Sequence, residues 1–426
     1  MAAILVFGAL PLALLAMGAP IFLVLLLSSG AGILYFGGIP LTAVHTAMFG
    51  GLDSFPLLAV PLFIIAGELM ARGGLANRLI TFVLALIGGI RGSLALATIA
   101  SAAVFGAMSG SALACVAAIG RMMIPSMEAK GYGRTRSVSL VTATGVIDVI
   151  IPPSIPMIIY AIAAQVSVTQ LFLAGILPGL LIAVMLSIYC YIQARREGIP
   201  AGEPIRIAKI ASSFKDAIWA FLAPVIILGG IYGGVFTPTE AAGVACVYTI
   251  VVSVFVYREM SVSAVWSVFL DCGRLIGQVM IIVAGASAYA WLITTSGASA
   301  STVAFIGSME LQPWMLLLVI NVLLLLVGSL LEPPAAILLL TPLLVPITAS
   351  AGIDPVHFGM IVTINLAIGM FLPPFGLNLF GAHAMFGTPL PALYRGVVPY
   401  LLIYLLALAI ITYVPSVTLA PLSWFR

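Results

Sequence analysis

Two stretches, GVIDVIIPPSIPMIIY (residues 145–160) and LAIGMFLPPFGLNLF (residues 366–380), decide the fold of this chain. Each is an apolar run interrupted by a Pro-Pro pair, and the two pairs lie 221 positions apart. At the same offset, Pro125 and Gly131 are matched by Pro346 and Gly352. The repeat predicts two broken helices, and broken backbone at membrane depth persists only where it borders protein or a polar cavity. Paired, Pro-interrupted hydrophobic segments in corresponding halves of a chain point to a transporter's binding site.

Composition places the whole chain in a membrane. The 426 residues are 63% hydrophobic and 7% charged, whereas soluble domains carry roughly 25% charged residues. Apolar runs recur throughout and form roughly ten to twelve units of spanning or hairpin length. The N-terminal sequence MAAILVFGALPLALLAMG has no basic n-region, so it predicts a first membrane helix rather than a cleaved signal peptide. We therefore expect residues 1–426 to form one integral membrane domain in the lipid bilayer, with the polar stretch 194–216 as a loop.

Basic residues in the loops predict how the chain crosses the membrane, because short loops rich in Lys and Arg lie on the cytoplasmic side. Two predicted crossings separate two basic clusters: Arg121, Lys130, Arg134 and Arg136, and then Arg195, Arg196, Arg206, Lys209 and Lys215. The loop SMEAKGYGRTR contains three basic residues, whereas its counterpart in the second repeat, ASAGIDPVH, contains none. Equivalent loops of opposite charge character are expected of an inverted repeat.

The segment 92–127 is flanked by Arg91 and Arg121, and a single span would place these two residues on opposite sides. A re-entrant hairpin with its tip at Ser109-Gly110-Ser111 keeps both on the basic side. The same reasoning predicts a second hairpin at 314–347, with its tip near Glu332-Pro333-Pro334. The first transport repeat is then approximately 92–165 and the second approximately 314–386, and the remainder forms largely scaffold helices and connections.

Half-helices supply the chemistry expected at these breaks. Each leaves unpaired N–H groups at its N-terminus and unpaired carbonyls at its C-terminus, with partial positive and partial negative charge respectively. The carbonyl ends, with small hydroxyls, suit Na⁺, and the N–H ends suit a carboxylate. Two tips and two breaks could therefore bind an organic acid and Na⁺ without a buried Lys or Arg.

The candidate site follows from these elements. One such motif alone favours a simple packing kink, but four motifs in two matched pairs favour a site. The predicted lining comprises Ser109, Gly110, Ser111, Ala112, Thr144, Gly145, Asp148, Pro152, Pro153, Ser154, Gly328, Glu332, Pro333, Pro334, Asn365, Gly369, Pro373, Pro374 and Gly376.

Acidic residues inside apolar segments are costly and commonly functional. Asp148, next to the first diproline, could bind a cation, accept a proton, contact a substrate or form a helix–helix hydrogen bond. Glu332 could face either the site or the external water. Glu68 precedes Arg72 by one helical turn and predicts a structural ion pair, while Glu240 fits a capping box at a helix start.

Several classes of function are excluded by what the sequence lacks. The four cysteines are scattered, and the three histidines have no ligand spacing, so no zinc or iron centre and no disulfide framework is predicted. No phosphate-binding loop and no basic, aromatic-interleaved patch is present, which argues against an ATP-driven motor and a nucleic-acid partner. An intramembrane enzyme using Asp148 and Glu332 lacks a nucleophile motif. We expect no enzymatic activity and no cofactor.

Seven stretches, in this order, resemble the large membrane subunit of a tripartite ATP-independent periplasmic (TRAP) transporter. They are GELMARGG (67–74), SGSALACVAAIGRMMIPSMEAKGY (109–132), IIPPSIPMIIYA (150–161), GGIYGGVFTPTEAAGVA (229–245), EPPAAILLLTPLLVPI (332–347), GIDPVHFGMI (352–361) and PPFGLNLF (373–380). Together they span nearly the whole chain.

The resemblance implies an all-α inverted-repeat transporter fold of the elevator type, with two re-entrant hairpins and two broken helices. It implies Na⁺-coupled uptake of an organic acid, of the carboxylate or sialic-acid class, across the bacterial inner membrane. The implied partners are a small four-helix membrane subunit and a periplasmic substrate-binding protein. A stand-alone ion-coupled anion symporter or exchanger is the alternative.

The resemblance also implies roles for the residues of the tips and breaks. The predicted substrate-binding residues are Ser109, Ser111, Asp148, Ser154, Asn365 and Asn378. The predicted Na⁺ ligands are Ser109, Gly110, Thr144, Gly145, Pro152, Gly328, Glu332, Gly369 and Pro373.

Two positions depart from the pattern of that family. Its first break often has a small residue where this chain has Asp148, and its second often has TPPVG where this chain has LPPFG at 372–376. The loss of a threonine hydroxyl at Leu372 removes one side-chain ligand for Na⁺. We hypothesise that Asp148 compensates for it or changes the coupling ion or the substrate preference.

Overall fold

The computed structural model describes residues 5–36, 40–202 and 204–424, and this part of the chain is almost entirely helical. Its one isolated β-bridge joins Arg91 and Ala201. The helices of the first half are α1 (Leu10–Ala16), α2 (Ile21–Phe36), α3 (Leu41–Leu52), α4 (Ala59–Arg72), α5 (Leu75–Ile87), α6 (Ser93–Gly106), α7 (Ala112–Ala129), α8 (Arg134–Thr144), α9 (Ile155–Ala164) and α10 (Val168–Arg196). Those of the second half are α11 (Ile207–Tyr232), α12 (Pro238–Val251), α13 (Val262–Thr295), α14 (Ala298–Gly307), α15 (Pro313–Leu330), α16 (Pro333–Ser350), α17 (Pro355–Gly369), α18 (Leu377–Phe386), α19 (Leu390–Tyr413) and α20 (Ser416–Leu419).

The prediction of a polytopic all-helical membrane protein is confirmed. Within the described residues, nine helical segments are long and apolar enough to cross a membrane, and seven shorter apolar helices accompany them. The expected first membrane helix is short: a π-helical turn at Leu5–Ala9 leads into α1, and residues 1–4 lie outside the described part. The stretch 194–216 is a loop only in its middle, because α10 continues to Arg196 and α11 begins at Ile207.

Two helix–turn–helix pairs occupy the positions of the predicted hairpins. Hairpin 1 is the α6–α7 pair, and its turn contains Gly110 in the left-handed region at φ +66°. Hairpin 2 is the α15–α16 pair, and α16 begins at Pro333 and Pro334. Proline is tolerated in a first helical turn because no intrahelical partner exists there for its missing N–H. These residue types allow the chain to reverse within two to five residues.

Both predicted broken helices are present as well. In the first, α8 passes into a 3₁₀ turn at Gly145–Val149 and restarts as α9, and in the second α17 stops at Gly369 and restarts as α18. Each break contains a diproline, and both Pro-Pro peptide bonds are cis. Because proline has no N–H and a fixed φ, it cannot continue the helical hydrogen-bond ladder.

The two broken helices contact each other's repeat in a reciprocal manner. Half-helix α9 packs against α16 of hairpin 2, and half-helix α18 packs against α7 of hairpin 1. In the middle of α9, the Tyr160 hydroxyl donates to the Pro355 carbonyl, where α17 begins. At the far end of α18, the Phe386 carbonyl accepts from Arg134, where α8 begins. Arg134 and Pro355, which begin α8 and α17, are themselves 221 positions apart. Because the second half of each broken helix contacts the start of the other, the two repeats run in opposite directions.

The two basic clusters lie at one end of the bundle. Arg136 of the first cluster forms an ion pair with Glu197, directly after Arg195 and Arg196 of the second. Arg91, at the start of hairpin 1, is bridged to Ala201 of the same connection. The distribution of Lys and Arg predicts that this end is the cytoplasmic one.

The remaining helices form a scaffold beside the repeats. Helix α4 packs against α12, α5 against α11, and the long helix α13 against α2, α3 and α4. Both structural expectations for its acids are confirmed: Arg72 bonds Glu68 at 2.6 Å, and Thr237 with Glu240 forms the capping box of α12. Helix α13 also contacts α16, so the scaffold lies directly against hairpin 2.

Candidate functional site

A cavity of about 390 Å³ lies where the two hairpin tips meet the scaffold. Residues from both tips, both breaks and the scaffold helices α4 and α13 surround it. The lining comprises Ile64, Gly67, Glu68, Ser109, Gly110, Ser111, Ala112, Leu113, Ala114, Val149, Ile155, Pro156, Asp271, Cys272, Leu275, Val279, Glu332, Pro333, Pro334, Met370 and Leu377. A volume of this size matches a small organic ligand.

The tip of hairpin 1 presents hydrogen-bond donors to this cavity. Among the described residues, the backbone N–H groups of Ala112, Leu113 and Ala114, the first turn of α7, have no acceptor. The Ser109 side chain beside them is 1% exposed, and its hydroxyl has no described partner. A helix N-terminus carries partial positive charge, so this tip is suited to a carboxylate.

The tip of hairpin 2 offers no such donors. Pro333 and Pro334 have no N–H, and the next two N–H groups, of Ala335 and Ala336, both donate to the Glu332 carbonyl at 3.1 and 3.0 Å. The Glu332 side chain is exposed and lines the cavity. The tips are therefore chemically unequal: one presents donors and the other a carboxylate.

The scaffold wall, which is the side of the cavity formed by α4 and α13, was not predicted from the sequence. A Cβ placed on Gly67 would lie 2.8 Å from the Ser109 carbonyl oxygen, so only glycine allows this approach of α4 to tip 1. Glu68 and Asp271 line the same wall, and Arg72 bonds both, at 2.6 and 2.9 Å. The sequence showed the Glu68–Arg72 pair, but Asp271 lies 199 positions from Arg72, and no local pattern links them.

Asp148 lies behind tip 1 and is fully buried. The backbone N–H groups of Gly110 and Ser111 face its carboxylate, but neither contact meets hydrogen-bond geometry, and both carboxylate oxygens lack a described partner. A Cβ on Gly106 would lie 2.8 Å from the Asp148 Cα, so α6 passes directly over this position. The helix–helix hydrogen bond considered for Asp148 is not formed within the described residues.

Gly369 holds the equivalent place in the second repeat. A Cβ on Gly369 would lie 2.2 Å from the Gly328 carbonyl carbon, so α15 and α17 are in backbone contact at this point. In the first repeat Gly145 is comparably confined, because its Cβ would lie 2.4 Å from a Val116 methyl group. Three of the predicted Na⁺ ligands are therefore also obligatory small residues of the hairpin–break interface.

Thr144 and Asn365 are a further equivalent pair. The Thr144 hydroxyl donates to the Leu140 carbonyl at 2.9 Å, and the Asn365 amide donates to the Ile361 carbonyl at 2.7 Å. Asn365 also donates to Asn321 of hairpin 2 at 2.6 Å, and its carbonyl oxygen has no described partner. The Thr144 hydroxyl oxygen therefore keeps lone pairs at the end of α8, and the Asn365 carbonyl oxygen keeps lone pairs near the end of α17.

Ser154 and Asn378 lie in the second half-helices. Ser154 caps α9: its hydroxyl donates to the Val149 carbonyl at 2.5 Å and accepts from the Met157 N–H. Asn378 is fully buried, and within the described chain neither atom of its amide has a partner. Pro152 is buried and Pro373 is partly exposed, each in its own break.

The structure thus brings only part of the predicted site to the cavity. The residues that line it are Ser109, Gly110, Ser111, Ala112, Glu332, Pro333 and Pro334. The predicted residues that do not line it are Thr144, Gly145, Asp148, Pro152, Pro153, Ser154, Gly328, Asn365, Gly369, Pro373, Pro374, Gly376 and Asn378. No Lys or Arg is among the described lining residues, and no cluster of three His, Cys, Asp or Glu side chains occurs in the described chain.

Comparison with known proteins adds a family and a fold. Residues 9–417 match the family model described as "Tripartite ATP-independent periplasmic transporter, DctM component". The chain is 42% identical to the C4-dicarboxylate TRAP transporter large permease protein of Pseudomonas aeruginosa, with 93% of each chain covered. It is 38% identical to the ectoine/5-hydroxyectoine TRAP transporter large permease protein of Ruegeria pomeroyi, with 95% of each covered. Among solved structures it resembles the Alcanivorax borkumensis YdaH transporter, with a TM-score of 0.64 at 16% identity over 95% of this chain and 97% of that one.

Proposed function

Because the chain belongs to the DctM component family of tripartite ATP-independent periplasmic transporters, we propose that it imports a small organic acid by symport with Na⁺. It is the large permease subunit, a multi-pass protein of the inner membrane, and its family consists of transporters and not of enzymes. The observation that carries the proposal is the cavity between the two tips, with free N–H donors on one side and carboxylates on the other.

The substrate's carboxylate binds at tip 1. Three backbone N–H groups of the first turn of α7 and the buried Ser109 hydroxyl supply the hydrogen bonds, and the α7 dipole favours negative charge at this point. The relatives named above are, by name, transporters of C4-dicarboxylates and of ectoines. The substrate class proposed here is a small carboxylate, and sialic acids share the carboxyl group that this tip would bind.

Na⁺ binds where half-helices end in carbonyls. The predicted ligands Thr144 and Gly145 lie at the end of α8, and the predicted ligand Gly369 lies at the end of α17. Asn365, the equivalent of Thr144, adds an amide oxygen near the end of α17. Hydroxyl, amide and backbone oxygens are hard ligands of the kind that alkali and alkaline-earth ions prefer. Among the carboxylates of the cavity lining, Glu68 and Asp271 are paired with Arg72, whereas Glu332 forms no ion pair with a described residue. A bound cation would offset the repulsion between Glu332 and an anionic substrate.

Transport follows an elevator-type cycle. The hairpins and broken helices move as one transport region against the scaffold. Gly67 has no side chain, so tip 1 can lie directly against the α4 backbone at this point. Na⁺ at the half-helix ends preorganises the tips, so the substrate binds after the ion. Coupling requires that the empty or half-loaded transport region crosses the membrane poorly.

The chain works with two partners. A small four-helix membrane subunit packs against the scaffold and stabilises it, and a periplasmic binding protein delivers the substrate. The scaffold's apolar exterior supports such a contact: Trp219 on α11 is 43% exposed, and Val247 on α12 is 64% exposed. Such surfaces face either lipid or another membrane helix.

Uptake into proteoliposomes tests the proposal. The chain and its small partner are reconstituted, the loaded binding protein is added outside, and inward Na⁺, inward H⁺ and no gradient are compared. Uptake that needs both Na⁺ and the binding protein is the expected result. Robust uptake without the binding protein would identify a stand-alone anion carrier instead, and uptake driven by H⁺ alone would contradict Na⁺ coupling.

A further inference from the structure

A second cavity, of about 300 Å³, lies at the basic end of the bundle. Helix α5, the start of α6, the end of α7 and the connection between α10 and α11 surround it. It shares no lining residue with the cavity between the tips. It therefore lies outside the proposed substrate site.

Gly202, in the described part of the α10–α11 connection, packs closely in the wall of this cavity. A Cβ on Gly202 would lie 2.4 Å from the Gly88 carbonyl oxygen and 2.5 Å from the Ser93 hydroxyl. The bridge between Arg91 and Ala201 joins the same two segments. The connection is therefore held against the α5–α6 turn.

The polar part of the lining is cationic. Lys130, Arg206 and Lys209 contribute to it, and its described residues include no Asp or Glu. Neither Lys130 nor Arg206 forms an ion pair with a described residue. The Tyr132 side chain is 4% exposed, and its hydroxyl faces the Ala95 backbone without completing a hydrogen bond to any described group.

Apolar side chains complete the lining and the surrounding surface. Leu84 and Met122 lie in the cavity wall. Next to Arg206, Ile205 is 51% exposed and Ile207 is 84% exposed. Basic residues alternating with exposed apolar ones are typical of the interface between the bilayer and the cytoplasm.

We propose that this cavity binds the headgroup of an anionic phospholipid from the cytoplasmic leaflet. Lys130 and Arg206 pair with the phosphate, and the apolar wall receives the glycerol and the first methylenes. Basic pockets between membrane helices on the cytoplasmic side bind anionic lipid headgroups. Because hairpin 1 and α5 both line the cavity, a bound lipid contacts the first transport repeat and the scaffold together.

Lipid-dependent thermal stabilisation of the full-length chain in detergent tests this proposal. Phosphatidylglycerol and phosphatidylethanolamine are titrated separately, and phosphatidylglycerol should raise the melting temperature more at equal mole fraction. The Lys130→Gln/Arg206→Gln variant should bind phosphatidylglycerol with an apparent affinity on the order of tenfold or more weaker, given the contribution of each basic residue to anionic lipid binding. The matched control is Arg195→Gln/Arg196→Gln, which removes two exposed cations of the same end that do not line the cavity.

Two further measurements separate the sources of the bound phosphate. Inorganic phosphate should give no comparable stabilisation, because the apolar wall needs the rest of the lipid; an equal effect would assign the site to a soluble anion. A photoactivatable phosphatidylglycerol should label peptides covering 81–94 or 122–132 of the unsubstituted chain. Labelling confined to other segments, or equal loss of affinity in both double variants, would overturn the proposal.

Discussion

Asp148 and Gly369 occupy equivalent positions of the two inverted repeats, 221 residues apart, and each packs against a glycine of its own hairpin. The Asp148 backbone lies under Gly106, and Gly369 lies against Gly328. The interface between hairpin and broken helix is thus similar in the two repeats, although Gly106 and Gly328 are not themselves 221 positions apart, and only the first repeat buries a carboxylate there. The charge is therefore an addition to a packing arrangement that does not require it.

The first prediction concerns that carboxylate. If Asp148 contributes to ion coupling, Asp148→Asn should raise the Na⁺ concentration for half-maximal uptake by about tenfold, which corresponds to roughly 1.4 kcal/mol. Asp148→Gly recreates the second repeat's residue and should fold normally, because the position accepts glycine in its equivalent. Uptake as a function of Na⁺ in proteoliposomes measures the effect. An unchanged Na⁺ dependence and substrate preference in both variants would refute the ion-coupling role.

The second prediction concerns Gly369. Gly369→Ala places a methyl group 2.2 Å from the Gly328 carbonyl carbon, and such overpacking against backbone costs about 1–3 kcal/mol. We expect a lower melting temperature and severely reduced uptake. Gly229→Ala in α11 is the control, because nothing lies within 4 Å of its Cβ, and it should be neutral or slightly stabilising. Equal behaviour of the two variants would argue against backbone contact at Gly369.

A third prediction separates two serines that sequence reasoning grouped as substrate ligands. Ser109 lines the cavity, and Ser109→Ala removes its buried hydroxyl, which has no described partner, so this variant should raise the KM for the substrate without lowering stability. Ser154→Ala removes the cap of α9 and should destabilise the protein by about 1 kcal/mol while leaving KM unchanged. Uptake kinetics and thermal melting on the same preparations measure both. The reverse pattern would exchange the two roles.

A fourth prediction concerns the arginine of the scaffold wall. Arg72→Gln leaves Glu68 and Asp271 beside the cavity without their cation, so uptake of an anionic substrate should fall several-fold through a higher KM. Asp271→Asn in the same background should restore part of the loss. Arg78→Gln removes an ion pair with Glu259 that does not line the cavity, and it should leave KM unchanged. If Arg78→Gln raises KM equally, the effect is not local to the cavity.

The breaks and hairpins could be predicted from the chain because their causes are local. Proline lacks an N–H wherever it occurs, so the pairs at 152–153 and 373–374 interrupt their helices regardless of context. The offset between them and the uneven distribution of Lys and Arg identified the inverted repeat, which the reciprocal contacts at Arg134 and Pro355 confirm.

The composition of the site could be predicted only in part. Side chains near a break were expected to line one cavity, but a helix has several faces, and proximity in sequence does not say which face turns inward. Ser154 and Asn365 point into helix caps and neighbouring helices, while Ser109 and Glu332 reach the cavity. Periodicity could not settle this, because in these helices nearly every face is apolar or buried.

The sequence alone determined that this protein is a helical membrane transporter with two inverted, Pro-interrupted repeats, because hydropathy, charge sidedness and missing N–H groups act locally. Only the tertiary structure decided that the scaffold helices α4 and α13 complete the lining of the cavity beside the tips and the breaks. It also decided that the two tips differ, with free donors at Ala112–Ala114 and a carboxylate at Glu332. Those properties depend on contacts between segments far apart in the chain, and such contacts leave no periodic signal in the residues that make them.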